Sequence, residues 1–318
     1  MLGPLKRALS MRDINLIRAP FNLGLRPLRP RHEPGTWRAP QALTEAGLIQ
    51  ALAPAQVIDL ERPAYSTEPQ PGTKLRNGPA IRSFNLRLAD IVADTIGRGA
   101  FVLIIGGDCT ILLGALAGAR RSGPLSLVHV DGHSDFRHPG NDDDNLPLGS
   151  AAGMDLAAAT GRGETLLTDW PGIAGPLLHD DQVMQIGERE NRDTDYAWRD
   201  IEATDITQVD VFAAQELGAA GVLAKAEPVL ASHGRHWVHF DVDALDQAVM
   251  PAVDSPGSPG IDPDQLIAIL AALVARPGCV GMNVTIFDPD LDPNGELAVW
   301  LVNFLRKVFD GFNPPAGT

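Results

Sequence analysis

Cysteine is scarce in this chain: Cys109 and Cys279 are the only two in 318 residues. Two cysteines so far apart are no disulfide framework, and they fit a reducing compartment. Long apolar runs are missing as well. The longest, Leu266–Ala275, is about half of what a membrane span needs. Met1–Arg12 has no extended apolar core of the kind a secretion signal carries, so we expect a soluble, cytoplasmic protein. Positive charge is in deficit. The net charge is −14 and the pI about 4.9, which argues against nucleic acid or an anionic membrane surface as a partner. Residues 1–38 run against that trend. Eight Lys/Arg (Lys6, Arg7, Arg12, Arg18, Arg26, Arg29, Arg31 and Arg38) face only Asp13 and Glu33, a local +6 that leaves −20 in the remainder. We read this basic, loop-rich segment as a solvated arm or a subunit contact. Internal repeats and linker-like shifts of composition are lacking too, so residues 1–318 are expected to form one domain.

Apolar residues make up 44% of the chain, enough for a large core. Short β-branched runs alternate with helical stripes from end to end. Strands are expected at Ile14–Ile17, Val57–Leu60, Phe101–Ile105, Leu125 onward, Val183–Gly187, Trp237 onward and Cys279–Phe287. Helices are expected over Ala39–Leu52, Ile81–Ile96, Ile111–Arg121, Ser150–Ala159, Val211–Ala231, Pro263–Ala275 and Gly295–Phe309. The long one from Val211 is one helix, or two broken at Gly218–Gly221. Asp262 suits the cap of the helix that opens with Pro263. Such alternation predicts an α/β fold, a parallel sheet with helices on both faces.

Two of these strands end in carboxylates. Leu125–Asp135 (LSLVHVDGHSD) delivers Asp131, His133 and Asp135; Trp237–Asp246 (WVHFDVDALD) delivers Asp241 and Asp243. Residues two apart in an extended chain point the same way, and open α/β sheets build their sites at the carboxyl ends of strands. Four carboxylates converging there would be prohibitive without cations. Two hard divalent metals are the natural remedy.

GGDCT at 106–110, DGHSD at 131–135 and DVDALD at 241–246, in that order, resemble the three signature blocks of the arginase/agmatinase/formimidoylglutamase (ureohydrolase) family. APFNLG at 19–24 and PGTWRAPQALTEAGL at 34–48 resemble its opening strand, loop and first helix, so the likeness covers nearly the whole chain. The resemblance implies a three-layer α/β/α arginase-like fold, a mainly parallel central sheet and two Mn²⁺ per chain. It implies that Asp131 and Asp241 bridge the ions, that Cys109 and Asp135 complete one shell, and that His133 and Asp243 complete the other. The implied reaction is cleavage of a linear C–N bond in a guanidine, hydroxyguanidine or formimidoyl compound by a metal-bridging hydroxide, with urea or a related amide released. Asp135 would orient the nucleophile and relay a proton. A homo-oligomer, trimer or hexamer, is implied as well.

The chain departs from the family at several places. Cys109 stands where histidine is usual, and a thiolate prefers softer ions than Mn²⁺. Ile286 stands where guanidine-hydrolysing members carry a glutamate that pairs with the substrate. Leu148 is nearest the place of a proton-shuttling histidine, for which His138 is the candidate substitute. Arg137 is a candidate grip on a substrate carboxylate, and Glu190 a candidate partner for a substrate amine. Two other readings stay open: a catalytically silent paralogue used for binding or assembly, and a single-Zn²⁺ hydrolase of the deacetylase type.

Overall fold

The computed structural model describes residues 12–30, 32–141 and 149–312. Eight strands form its sheet: β1 Ile14–Ala19, β2 Gln56–Asp59, β3 Phe101–Gly106, β4 Ser126–Val130, β5 Val183–Ile186, β6 Thr207–Val209, β7 His236–Asp241 and β8 Cys279–Thr285. Their order across the sheet is β2-β1-β3-β8-β7-β4-β5-β6, and every pairing is parallel. The helices are α1 Ala39–Glu45, α2 Leu48–Leu52, α3 Gly78–Gly97, α4 Ile111–Arg120, α5 Asp155–Ala159, α6 Thr165–Thr168, α7 Val211–Ala231, α8 Pro263–Val274 and α9 Glu296–Val308.

The central strands β3, β4 and β7 are buried at every position because both of their faces are covered. One apolar cluster takes Val128, Val130, Val238 and Phe240 and packs them against α7, α8 and α9. The other takes Leu127, Trp237, Val102 and Ile104 and packs them against α3, α4 and α5. This is the expected three-layer α/β/α arrangement. The edge strands β2 and β6 are the exception, carrying exposed polar residues.

Several boundaries differ from the sequence reading. The helix expected over Ala39–Leu52 is two, separated at Gly47, whose φ of +99° ends the first. The Ser150–Ala159 helix begins as a 3-10 turn over Ala151–Met154. The long α7 does break at Gly218, with φ +63°. Asp262 caps α8, accepting from the amides of Asp264 and Gln265. α6 and β6 lie in stretches without a clear period and were not foreseen. The basic N-terminal segment is tied to the body where it is described: Arg18 pairs with Asp59, and Arg38 lies 2.6 Å from Asp290. Lys6, Arg7, Arg31 and Leu148 lie outside the described residues.

Candidate metal centre

Parallel pairing in register brings the two aspartate blocks together. Val130 pairs with Phe240, and Asp241 pairs with Thr285 of β8, so the chain leaves β3, β4, β7 and β8 around one crevice. Each aspartate strand then turns in the same way. Asp131 Oδ1 accepts from the amide of His133 at 2.7 Å, and Asp241 Oδ1 accepts from the amide of Asp243 at 2.8 Å. These Asx turns hold one carboxylate while swinging the residue two places on into the same space. Asp243 is fixed from behind. It accepts from the Gly132 amide at 3.0 Å, and the buried guanidinium of Arg189 donates to the carbonyls of Gly132 and Asp243.

The turn after β3 supplies the third side. A Cβ on Gly107 would lie 1.7 Å from the Phe21 carbonyl oxygen, so only glycine lets the chain pass there. Cys109 follows, its Sγ donating to Asp241 Oδ2 at 2.7 Å. Asp108 is wholly buried and accepts from Gly24 and Thr110; burial pushes its pKa up to about 6. Two non-glycine residues of the site adopt positive φ, Asp135 at +46° and Ile286 at +72°. For a β-branched residue this is a strained backbone, and such strain gathers at functional sites. Ile286 is held by its amide, which donates to Gly107 O at 2.8 Å.

A cavity of about 500 Å³ opens onto these groups. Its lining includes Cys109, Asp131, His133, Asp135, Asp241 and Asp243, the whole set of expected ligands. Ile286 forms part of its wall, and Arg26 and Arg137 line it too. Arg137 donates to the carbonyl of Ser150. Glu190 is not in the lining; its carboxylate is 4.0 Å from His133 Nε2. His138 is not in the lining either. Its Nε2 lies 2.7 Å from Asp200 and its ring stands edge-on to Phe136.

Crowding shapes the ionisation of these groups. Burial, and then the neighbouring carboxylates, raise Asp135 and Asp241 well above the usual carboxylate range. Burial opposes charge on His133, yet Asp243 and Asp131 outweigh it and raise its pKa. Burial would also raise Asp243, but His133 and Arg189 hold it down. Half-buried Asp254 lines the cavity, and burial plus Asp243 push it up to about 7. Such perturbed carboxylates gather where an acidic cluster is buried, as functional sites often arrange them.

The residues fit divalent ions. Asp131, His133 and Asp243 each offer a ligand atom within 4.8 Å of the others, and so do Cys109, Asp131, His239 and Asp241. Asp131 Oδ2 is buried without a hydrogen-bond partner. Oxygen-rich shells with an imidazole suit Mn²⁺.

Sequence reading missed four buried or half-buried groups here: His129, His239, Asp155 and Asp254. The signal for two of them was present, since VHVD and VHFD place a histidine two residues before Asp131 and Asp241. Nothing in the sequence around Asp155 or Asp254 distinguishes either from a loop or capping acid.

The comparisons with known proteins agree with this geometry. The sequence model of the Arginase family matches residues 12–309. The chain is 29% identical to the arginase of Bacillus caldovelox over 94% of its own length and 98% of that protein's. It is 27% identical to arginase-1 of Sus scrofa, over 92% and 89% of the two chains. Among solved structures, the Bacillus caldovelox arginase superposes with a TM-score of 0.81 over 94% of this chain and 98% of that one, at 25% identity. The formimidoylglutamase of Bacillus subtilis shares the fold, with a TM-score of 0.69 at 16% identity over 98% and 90% of the two chains. With the signature aspartates gathered at one crevice, and with the match running through all but the chain's ends, the protein belongs to the arginase family and is a metal-dependent hydrolase of the arginase/agmatinase type.

Proposed function

We propose that the chain is a dinuclear hydrolase that cleaves a C–N bond of a linear amidine: a guanidine, a hydroxyguanidine or a formimidoyl compound. The observation that carries this reading is the adjacency of Asp131 and Asp241, on neighbouring strand ends, with Asp135 on one side and His133 and Asp243 on the other. Asp131 and Asp241 would hold both ions; Cys109 and Asp135 would complete one shell, and His133 and Asp243 the other. Two Mn²⁺ ions bound there would supply Lewis acidity and a water acidic enough to attack at neutral pH.

The remaining work falls to the chain. Asp135, in the cavity lining, would orient the nucleophile and accept its proton. Asp254, whose pKa is pushed up to about 7, is placed to hold a proton for the departing amine. Arg137 and Arg26 give the cavity two guanidinium groups, suited to a substrate that carries a carboxylate. Ile286 presents an apolar wall where a guanidinium would need an anion. That favours an amidine whose reacting end is held by hydrogen bonds rather than by a salt bridge. A cytoplasmic homo-oligomer, trimer or hexamer, belongs to the same reading.

Ile286 also supports a second reading, a silent member of the family. The same experiment separates the two. Protein stripped with chelator and reloaded with Mn²⁺ is assayed for urea or formamide release from arginine, agmatine, hydroxyarginine, guanidinobutyrate and formimidoylglutamate. Turnover of at least one compound, abolished by Asp241→Asn, is expected. No turnover of any compound with any divalent metal contradicts catalysis and leaves the silent reading.

A further inference from the structure

Beneath the carboxylates of the crevice lies a second polar row. His129 and His239 are paired in register on β4 and β7, two residues before Asp131 and Asp241 and therefore on the same face. Their rings stack at 4.5 Å, 13° from parallel. Asp155, the first residue of α5, closes over them, and all three side chains are wholly buried.

His129 and Asp155 form a loose ion pair at 3.4 Å, which does not satisfy the row's polar atoms. Both ring nitrogens of His129, both oxygens of Asp155, Nε2 of His239 and Oδ2 of Asp131 are buried with no hydrogen-bond partner. A native interior rarely leaves so many polar atoms unmatched in one place. The atoms face one another instead. His129 Nε2 lies 3.4 Å from Asp155 Oδ1 and 3.8 Å from Asp131 Oδ2; His239 Nε2 lies 3.9 Å from Asp131 Oδ2 and 4.0 Å from Asp155 Oδ2. Those separations are long for direct hydrogen bonds and suit atoms arranged around an ion. Asp135 reaches the same place, for its carboxylate comes within 4.8 Å of the His129–Asp131 pair and, in a group that includes Cys109, of Asp155.

The two histidines are not equivalent. Trp237 Nε1–H donates to Asn283 Oδ1 at 2.8 Å, which turns the Asn283 NH₂ toward His239 Nδ1 at 2.7 Å. His239 Nδ1 is thus an acceptor, and the ring's proton sits on Nε2, facing the two carboxylates. No neighbour fixes His129 at Nδ1 in this way, and its Nε2 faces the carboxylates of Asp155 and Asp131.

We propose that His129 and Asp155, with Asp131 and Asp135, form an inner metal position that takes over the role of Cys109, and that His239 Nε2–H steadies the carboxylates of that position. The inference rests on the dinuclear reading and relocates one of its two ions deeper into the fold. Cys109 is engaged by Asp241 at 2.7 Å, and its soft sulfur is a poor match for Mn²⁺. One imidazole with three carboxylates is a harder set, suited to Mn²⁺ or Fe²⁺.

The test counts ions and looks for sulfur. Wild type, His129→Gln, Asp155→Asn and Cys109→Ala are dialysed against Mn²⁺ and analysed for bound metal, with folding checked by circular dichroism. Two ions per chain are expected in wild type and Cys109→Ala, and one in His129→Gln and Asp155→Asn. Wild type loaded with Co²⁺ gives a second measurement that needs no variant: no thiolate-to-cobalt charge-transfer absorption is expected. A strong charge-transfer band, or a count that falls to one in Cys109→Ala while His129→Gln keeps two, overturns the inner position and leaves the dinuclear reading standing. A wild type that binds no ion overturns both.

Discussion

If the crevice binds divalent ions as proposed, removing them should reverse how stability responds to pH. In the bare site, Asp135 and Asp241 titrate well above the 3.8 that an unfolded aspartate keeps. Between 3.8 and their folded values the native state holds more protons than the unfolded chain, so metal-free stability falls as pH rises. His133, also raised, adds to the same slope, because its stabilising charge is lost as pH climbs through its folded value. Bound divalent ions demand the deprotonated carboxylates and neutral imidazole, so the loaded protein gains stability over the same rise. The magnitude follows from mass action. An ion at one hundred times its Kd adds about 2.7 kcal/mol, hence about 5 kcal/mol for two. A chain of 318 residues has an unfolding entropy of about 0.7 kcal/mol/K, so loading raises Tm by about 8 °C near neutral pH. The assay is thermal unfolding at pH 5, 6, 7 and 8, with chelator and with excess Mn²⁺. A Tm gap that widens with pH is expected. A gap near zero at every pH, or metal-free protein growing more stable toward pH 8, refutes the reasoning.

Three other perturbations probe separate parts of the account. Ile286→Glu restores an anion to the cavity wall and should raise kcat/KM for a guanidinium substrate roughly 10- to 100-fold, the worth of one charged hydrogen bond; unchanged kinetics would show that the side chain does not face the substrate. Arg189→Met removes the buried guanidinium that braces Gly132 and Asp243, and should destabilise the fold by about 3–5 kcal/mol and weaken Mn²⁺ binding roughly 10- to 100-fold. Denaturant melts and metal titration check both effects. His236, buried on β7 beside Leu273 O, has its pKa lowered by burial from 6.5 to about 4. The unfolded chain protonates first, so the stability it gives is full above about 6.5 and is lost toward pH 4, about 3 kcal/mol in all. Replacing it with Gln should remove that slope, and a slope unchanged in His236→Gln would put the dependence elsewhere.

The layered fold and the gathering of the aspartates at one crevice were legible because both are written in local patterns. Strand and helix periods alternate along the chain, and Asp131 and Asp241 close apolar runs, although Asx turns rather than continued strands bring His133 and Asp243 to the crevice. The boundaries that slipped did so where a single backbone angle decides, as at Gly47. The inner row was legible only in part. The strand period puts His129 beneath Asp131, but a buried polar pair has meaning only once β7 lies beside β4 and Asp155 arrives from 24 residues further on. The pairing of His138 with Asp200, outside the cavity lining, joins residues 62 apart and is described by no periodicity. Ile286 was recognisable as a departure, while its positive φ, which marks the turn as strained, came only from the structure.

The central claim is that this many buried acids persist in one crevice because divalent ions sit among them. A crystal structure of the protein grown with Mn²⁺, with data collected at the manganese absorption edge, tests it most directly. The account predicts two anomalous peaks, both in contact with Asp131, one flanked by His133 and Asp243 and the other on the side of Asp135. An absence of anomalous signal, with the acids turned to solvent or paired with arginines, would contradict it.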